Sequence, residues 1–240
     1  MNLQYLIHIN KMTRIVIGGS PHSGKSTFMV LLKQNLKGKN VDVGLNDLDL
    51  SSPTLEWLEG EETKYQRELK KQPWTPELAK QAKYIFTESE KKHDIVLGDS
   101  PGKITDVTKI ISKGADGAVI LTRDPQNRKS WNKFYKENKI PVLCDIDSDL
   151  FGKSRFSPKV GKGKAVGLSR QMLRKGKLKE RNMAIEGCAF ELGEKFGLTF
   201  EGGREKKQKI DCSLPENKNF LKCIKERKKH SKYQNGRKIN

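Results

Sequence analysis

Residues 13–27 read T-R-I-V-I-G-G-S-P-H-S-G-K-S-T, and this stretch constrains the chain more than any other. The β-branched run I-V-I at 15–17 predicts a buried strand, and the apolar run at 27–32 predicts a helix. The turn between them has the spacing G-x-x-x-x-G-K-[ST] at residues 19–26. A strand, a glycine-rich turn and a helix in this order predict a loop that wraps around phosphate groups.

The residue types in this loop suit phosphate chemistry. Gly19 and Gly24 permit backbone angles that a Cβ forbids, so successive N–H groups can converge on phosphate oxygens at a helix N-terminus. Lys25 is placed to reach the β- and γ-phosphates, and the Ser26 hydroxyl is placed to ligate Mg²⁺. We therefore expect a nucleotide to contact Gly19, Ser20, Pro21, His22, Ser23, Gly24, Lys25, Ser26 and Thr27.

Strands and helices alternate over the first 150 residues, which is typical of a parallel sheet. Apolar runs predict strands at 15–17, 41–45, 94–98, 117–122 and 140–144. Helical patterns follow the loop and recur at 76–91, 104–112 and 129–138, and a highly charged stretch at 54–72 predicts an exposed helical insertion. The sequence thus predicts an α/β fold in which helices sandwich a mainly parallel sheet.

Charge divides the chain near residue 150. Residues 1–150 contain 23 Lys and Arg against 20 Asp and Glu, whereas residues 151–240 contain 25 against 9. Such a basic block has two interpretations, an anionic partner such as RNA or DNA and a general lysine bias of the chain. We predict a nucleotide-binding domain at 12–150, a basic extension at 151–200 and a lysine-rich, partly disordered tail at 201–240.

The basic extension also has apolar patterns. The run K-A-V-G-L within 163–168 predicts a short strand. An amphipathic pattern at 178–196 predicts a helix that docks on the domain, with one apolar face formed by Ile185, Cys188, Ala189, Leu192 and Phe196.

Two acidic segments follow predicted strands. Asp99 follows the run D-I-V-L-G and precedes S-P-G, which is where this kind of loop needs a carboxylate for Mg²⁺. Asp49 lies after the second strand, and it is the candidate for orienting the nucleophile, because the carboxyl ends of parallel strands open onto one crevice. The alternatives are that Asp99 caps a helix and that Asp49 caps a turn. Lys25, Asp49 and Asp99 are therefore the predicted catalytic residues, and Ser26 and Asp99 the predicted metal ligands.

Composition excludes several classes of protein. No apolar run approaches the ~20 residues of a membrane helix, and the first residues lack the charged region and cleavage site of a secretory signal. Met1 and Met12 are both candidate start residues. The four cysteines, Cys144, Cys188, Cys212 and Cys223, match no zinc-binding spacing. We expect reduced thiols, a cytoplasmic location and no membrane partner, and the oligomeric state stays open.

Together these motifs resemble the P-loop NTPase superfamily, nearer its kinase and SIMIBI-like members than its ring-forming members. Partition and nitrogenase-iron-protein ATPases carry an additional lysine near the start of the loop, whereas here Gly19 is followed by S-P-H, which disfavours that subgroup.

Two narrower resemblances concern short segments. The run D-L-D-L-S-S-P-T at 47–54 is similar to the D-x-D-x-G-Q segment of polynucleotide 5′-hydroxyl kinases, although the Gly-Gln is absent. The loop, W-T-P-E-L at 74–78 and G-A-V-I-L-T-R-D-P at 117–125 resemble the P-loop domain associated with CRISPR proteins that act on cyclic oligoadenylate.

Three functions are compatible with these residues. The first is Mg²⁺-dependent ATP binding with ATP hydrolysis or phosphoryl transfer, the 5′-hydroxyl kinase reaction included. The second is a nucleic-acid-binding protein switched by nucleotide, and the third is a nucleotide binder with negligible turnover. ATP is favoured over GTP, because the guanine-specific N-K-x-D pattern is replaced by T-R-D-P at 122–125.

Overall fold

The structure is a computed structural model. It describes residues 13–51, 73–169, 173 and 182–198. The predicted insertion at 54–72, the predicted tail at 201–240, the first residues of the helix predicted at 178–196 and both candidate start residues lie outside the described residues.

Seven strands and five α-helices follow one another along the described residues. Side chains cap α2, α3 and α4, as Thr75, Thr105 and Asp124 each accept a hydrogen bond from a backbone N–H of the first turn. The elements are β1 Thr13–Gly18, α1 Lys25–Lys37, β2 Val43–Asp47, α2 Pro76–Glu90, β3 Ile95–Asp99, α3 Asp106–Ser112, β4 Gly117–Thr122, α4 Pro125–Glu137, β5 Val142–Asp149, β6 Arg155–Ser157, β7 Lys162–Val166 and α5 Met183–Phe196.

The strands form one sheet in the order β2-β3-β1-β4-β5-β7-β6. Every neighbouring pair is parallel except β6 and β7, which are antiparallel. The predicted α/β fold with a mainly parallel sheet is therefore confirmed. Because β1, β3, β4 and β5 are parallel, the loop that follows β1 opens at the same edge of the sheet as the carboxyl ends of β3 and β5.

Helices cover both faces of this sheet. Ile15 and Ile17 of β1 face α1 and α5 and contribute to a large apolar cluster with Phe28 and Leu32. Val16 faces the opposite side, where Trp131 and other residues of α4 form a second cluster. A third cluster joins β2 and β3 to α2 and α3 through Leu48, Ala82, Phe86, Val96 and Ile111. Successive residues of the central strands are thus buried on opposite faces of the sheet, which explains why these strands are continuous apolar runs in the sequence.

The described part of the basic extension completes the sheet. β7 pairs with β5, and α5 packs against α1 in the large cluster. Four residues of the apolar face of α5, Ile185, Cys188, Ala189 and Leu192, are buried, and Phe196 packs against the same cluster. The predicted division at residue 150 consequently falls between two strands of one sheet.

Several element bounds differ from the sequence prediction, those of β2, α4 and β5 among them. β2 begins and ends two residues later than predicted, so Asp47 lies within the strand. α4 begins at Pro125 rather than 129, because Asp124 caps it and Pro125 occupies the first turn. β5 extends to Asp149 rather than 144, and its side chains alternate between buried and half-buried positions.

Helix length and hydropathy also bear on membranes. None of the helices in the described ranges is long and apolar enough to span a bilayer.

Candidate functional site

The loop between β1 and α1 is shaped by two glycines with positive φ. Gly19 has φ +147°, and a Cβ built there would lie 1.8 Å from the carbonyl oxygen of Leu121. Gly24 has φ +86°, and a Cβ there would lie 2.7 Å from the Cβ of Leu168. Backbone and neighbours therefore exclude larger side chains at both positions, as the sequence predicted from the motif.

The first turn of α1 is open to a ligand. Its N-cap is Gly24, which provides no capping side chain, and no acidic residue lies in the first turn. The first N–H groups of a helix have no partner within the helix, and together with the helix dipole they attract anions. The N-cap side chains of α2, α3 and α4 accept hydrogen bonds from the first turn, whereas Gly24 at α1 and Asn182 at α5 provide no such bond.

Lys25 folds back over the loop. Its ammonium Nζ donates to the carbonyl oxygens of Gly19 and Ser20 over distances of 3.4 and 3.3 Å. These contacts are long for charge-assisted hydrogen bonds, so phosphate oxygens placed in the loop compete well for the same ammonium group.

Ser26 and Asp99 meet below the loop. The Ser26 hydroxyl donates to a carboxylate oxygen of Asp99 over 2.5 Å, and both side chains are buried. The parallel pairing of β1 and β3 explains this meeting, because Ile17 and Asp99 are register partners. The two residues predicted as metal ligands are thus brought together from positions 73 residues apart.

Asp49 lies on the same cleft and is half-buried. The Ser51 hydroxyl donates to it over 2.7 Å, which is the turn contact that the alternative interpretation anticipated. Asp47, the other acid of this segment, is the register partner of Asp99 at the end of β2. Asp49 therefore faces the cleft and also stabilises its own turn.

The cleft has a volume of about 830 Å³. Of the nine predicted nucleotide contacts, Pro21 to Thr27 line it, whereas Gly19 and Ser20 do not line it and contact Lys25 through their carbonyl groups. His22 is exposed and adopts φ +58°, a left-handed conformation that few non-glycine residues adopt.

Among the further cleft residues that were not assigned a role from the sequence are Trp74, Lys103, Thr105 and Leu168. Trp74 precedes α2, Lys103 and Thr105 belong to the turn after β3, and Leu168 follows β7. Only the turn after β3 carries a signal, since the run S-P-G-K directly follows Asp99. The other two come from distant parts of the chain, and their position depends on the topology of the sheet.

A side chain from β5 holds the loop from the other side. The Ser148 hydroxyl is buried and donates to the carbonyl oxygen of Ser23 over 2.6 Å. The end of β5 is in turn tied to β7, because Lys164 forms an ion pair with Asp149 at 2.6 Å. Hydrogen bonding to Lys164 and to the backbone N–H groups of Leu150 and Phe151 lowers the pKa of Asp149.

The back of the loop packs against α4. A Cβ at Gly18 would lie 2.1 Å from the hydroxyl oxygen of Tyr135 and 2.8 Å from the ring of Trp131. Burial raises the pKa of Tyr135, with an opposing contribution from Ser100. Tyr135 is therefore a neutral structural side chain behind the phosphate loop.

Several solved structures share this architecture. The septum site-determining protein MinD of Pyrococcus horikoshii, solved with Mg-ADP, is 18% identical with a TM-score of 0.56, covering 78% of this chain and 99% of its own. The cell division ATPase MinD of Pyrococcus furiosus is 16% identical with a TM-score of 0.55, covering 76% and 99%. A putative plasmid partition protein of Borrelia burgdorferi, bound to AMPPNP, is 16% identical with a TM-score of 0.52, covering 77% and 100%.

No protein-family model and no curated protein matches the chain. The fold is that of the P-loop NTPases. A putative plasmid partition protein shares it, although the sequence disfavoured the partition ATPases, so the missing loop lysine does not separate this chain from them in fold.

Proposed function

We propose that this protein binds Mg²⁺-ATP and catalyses the transfer of its γ-phosphate, with water as the acceptor in the simplest case. The observation that carries the proposal is the 2.5 Å contact between Ser26 and Asp99 directly below the phosphate loop. A hydroxyl and a carboxylate at this place are the protein ligands that P-loop NTPases provide to the metal.

The described residues fit a magnesium ion only in combination with a nucleotide. No group of three His, Cys, Asp or Glu side chains in the described ranges is arranged to hold a metal by itself. Magnesium typically takes one or two protein ligands and completes its shell with phosphate oxygens and water. Ser26 and Asp99 would hold the ion, which when bound neutralises charge on the β- and γ-phosphates.

The side chains then have separate roles. Lys25 exchanges its weak carbonyl contacts for the phosphate oxygens and stabilises the charge that develops on them. Asp49 accepts a hydrogen bond from the attacking hydroxyl or water and so orients it. Its contact with Ser51 fixes the carboxylate in position for this role.

ATP is the proposed nucleotide. Solved structures that resemble this chain contain ADP, AMPPNP or ATP. The segment at 122–125 also lacks an acid placed for guanine, because Asp124 caps α4 by accepting hydrogen bonds from Gln126 and Asn127.

The test compares Lys25→Ala with Lys37→Ala, an exposed lysine at the other end of the same helix. We expect Lys25→Ala to lower kcat for ATP hydrolysis by roughly 10²–10³-fold, because a donor to the developing charge is lost. Lys37→Ala should hydrolyse ATP at the parent rate. Equal rates in both variants, measured as phosphate release, would contradict the assignment of the nucleotide site.

A second proposed function is nucleic-acid binding controlled by nucleotide. Its support is the basic composition after residue 150, where the described residues Lys153, Arg155, Lys159 and Lys162 are all exposed. If ~6 phosphate contacts are made on a single strand, affinity should fall by about 300-fold between 50 and 200 mM salt. Absence of binding to RNA and DNA at 50 mM salt would leave the lysine bias as the explanation.

The resemblances to 5′-hydroxyl kinases and to CRISPR-associated P-loop domains remain predictions from the sequence.

A further inference from the structure

A second cleft lies beside α4, and it shares no described lining residue with the cleft at the phosphate loop. Its volume of about 480 Å³ is within the range of roughly 300–1,000 Å³ that small-molecule sites have. The described lining comes from α4, from the first half of β5 and from the turn that leads into β7. This second cleft is therefore a separate candidate for ligand binding.

The connection between β5 and β7 explains why the sheet is open here. Parallel neighbours in a sheet are usually joined by a helix that covers one of its faces. Residues 150–161, all of which the structure describes, instead contain β6 and a 3₁₀ turn at Pro158–Val160. α5 packs against β5 and β7 on one face, α4 packs against β4 and β5 on the other, and Val160 and Lys162 beside α4 stay exposed.

Aliphatic side chains form part of the wall of the second cleft. Gly161 has φ +59°, and a Cβ built there would collide with the carbonyl oxygen of Leu143, so the start of β7 lies directly against β5. Val142, Leu143 and Val160 line the cleft around this approach. They offer apolar surface to the carbon skeleton of a ligand.

Asp145 supplies a buried acceptor to the same cleft. Its side chain is only 10% exposed, and its Oδ1 accepts no hydrogen bond from the described residues. Nε of Arg128 lies 3.0 Å from Oδ1, but this contact is an ion pair without the geometry of a hydrogen bond. Asn132 donates to Oδ2 over a long 3.4 Å. Because a buried acceptor without a hydrogen bond is unfavourable, a donor group of a ligand is stabilised at this position.

The cations of the second cleft are only partly neutralised. Arg128 is engaged, because its Nη2 also forms an ion pair with Asp147 at 3.2 Å. Lys129 and Lys162 are exposed and form no ion pair with any of the described residues. The described lining contains three cations against one carboxylate, Asp145, a net charge of +2. A phosphomonoester has a charge of about −1.5 to −2 at pH 7 and matches this value.

We propose that the second cleft binds a small phosphomonoester that carries a hydroxyl or amino group. Lys129 and Lys162 pair with its phosphate, and its hydroxyl or amino group donates to Oδ1 of Asp145. Its carbon skeleton packs against Val142 and Val160. Sugar phosphates and nucleoside monophosphates share this chemistry. The inference goes beyond the proposed function and does not depend on it, because the two clefts share no described residue.

The experiment titrates three probes into the full chain by calorimetry, in the presence of excess Mg²⁺ and ADP. The probes are glucose 6-phosphate, adenosine 5′-monophosphate and inorganic phosphate. We expect at least one of the two phosphomonoesters to bind about tenfold more tightly than inorganic phosphate, because contacts with Asp145 and the aliphatic wall are added. The tighter phosphomonoester tells whether the ligand is of the sugar or the nucleotide type.

Variants locate the binding. Lys129→Gln and Lys162→Gln should each raise the Kd of the tighter phosphomonoester by about tenfold, because a charged contact is lost. Lys136→Gln removes the same charge from an exposed position of α4 outside the described lining, and it should bind like the parent. Asp145→Asn should lower the preference for the phosphomonoester over inorganic phosphate by about fivefold, because a charged acceptor becomes a neutral one. This preference is a ratio within one variant, so a partial loss of folding does not imitate it.

Lys25→Ala separates this site from the phosphate loop. The variant should bind the phosphomonoester like the parent, and loss of binding would place the probe in the loop and overturn the proposal. The proposal is equally wrong if neither phosphomonoester binds more tightly than inorganic phosphate. It also fails if Lys129→Gln and Lys162→Gln behave like Lys136→Gln.

Discussion

The two flanks of the phosphate loop are built in different ways. On the β2–β3 flank, Asp49, Trp74 and Lys103 line open space, and Asp99 is tied to α1 through its contact with Ser26. On the β5–β7 flank, Ser148 binds the backbone of the loop, and Leu168 packs against Gly24 so closely that no Cβ fits between them.

The two flanks therefore make different contributions to the site. The packed flank fixes the backbone of the loop, which must present its N–H groups in one geometry. The open flank carries charged and aromatic groups that line the cleft. A rigid scaffold that carries functional groups on adjacent turns is a common arrangement in catalytic sites.

The largest effect is expected from Gly24→Ala on the packed flank. The positive φ and the approach to Leu168 should together lower the free energy of unfolding by about 2–5 kcal/mol and abolish ADP binding. Gly167→Ala is the matched control, because Gly167 has φ +69° but no atom of the described residues lies within 4 Å of a Cβ built there. It should cost only about 1–2 kcal/mol. Equal losses in urea denaturation would show that the packed flank is not rigid.

Asp99→Asn and Asp49→Asn probe the open flank. Asparagine keeps an acceptor oxygen for Ser26 but removes the negative charge, so Asp99→Asn should raise the Mg²⁺ concentration for half-maximal activity by about 10–100-fold. Asp49→Asn should lower kcat by about 10²-fold at nearly constant ATP affinity. Titrations of Mg²⁺ and ATP distinguish the two. The opposite pattern would mean that the roles are exchanged, and two unchanged variants would favour the capping interpretations.

The smallest effect is expected from Ser148→Ala. Loss of one buried hydrogen bond to the carbonyl of Ser23 should cost about 1 kcal/mol, seen as a roughly fivefold weaker ADP affinity. Ser112→Ala on α3 is a suitable control, since the buried Ser112 hydroxyl has no hydrogen-bond partner among the described residues. If both variants bind ADP like the parent, the loop does not depend on β5 for its geometry.

Central strands are predictable from the sequence because burial on both faces makes them apolar throughout. The predicted boundaries of β4 are correct, and those of β1 and β3 agree with the structure to within a few residues. The phosphate loop is predictable for a related reason, since its glycines and Lys25 are required by local geometry and contact chemistry alone.

The C-terminal end of β5 could not be predicted in this way. Its second half reads D-I-D-S-D, which as an isolated sequence is typical of a turn. In the structure Asp145 and Asp147 pair with Arg128 of α4, and Asp149 pairs with Lys164 of β7. The strand continues because partners far along the chain neutralise one face of it, and a local pattern does not contain that information.

The start of α4 is a different kind of error. Asp124 followed by Pro125 is a recognisable signal for a helix N-terminus, and the helix begins there. The sequence contains this signal, so the later start predicted at residue 129 is a misreading of local information. The roles of Ser148 and Leu168, in contrast, depend on the order of strands in the sheet and lie beyond local reasoning.

The packing of α5 against α1 has a consequence for synthesis on the ribosome. Phe28, Met29 and Leu32 emerge early, but the helix that covers them begins only at Met183. At translation rates of about 5–20 residues per second, the apolar face of α1 stays uncovered for roughly 8–30 s. During that interval the apolar face of α1 is accessible to chaperones. The phosphate loop also lacks its contact with Leu168, which packs against Gly24.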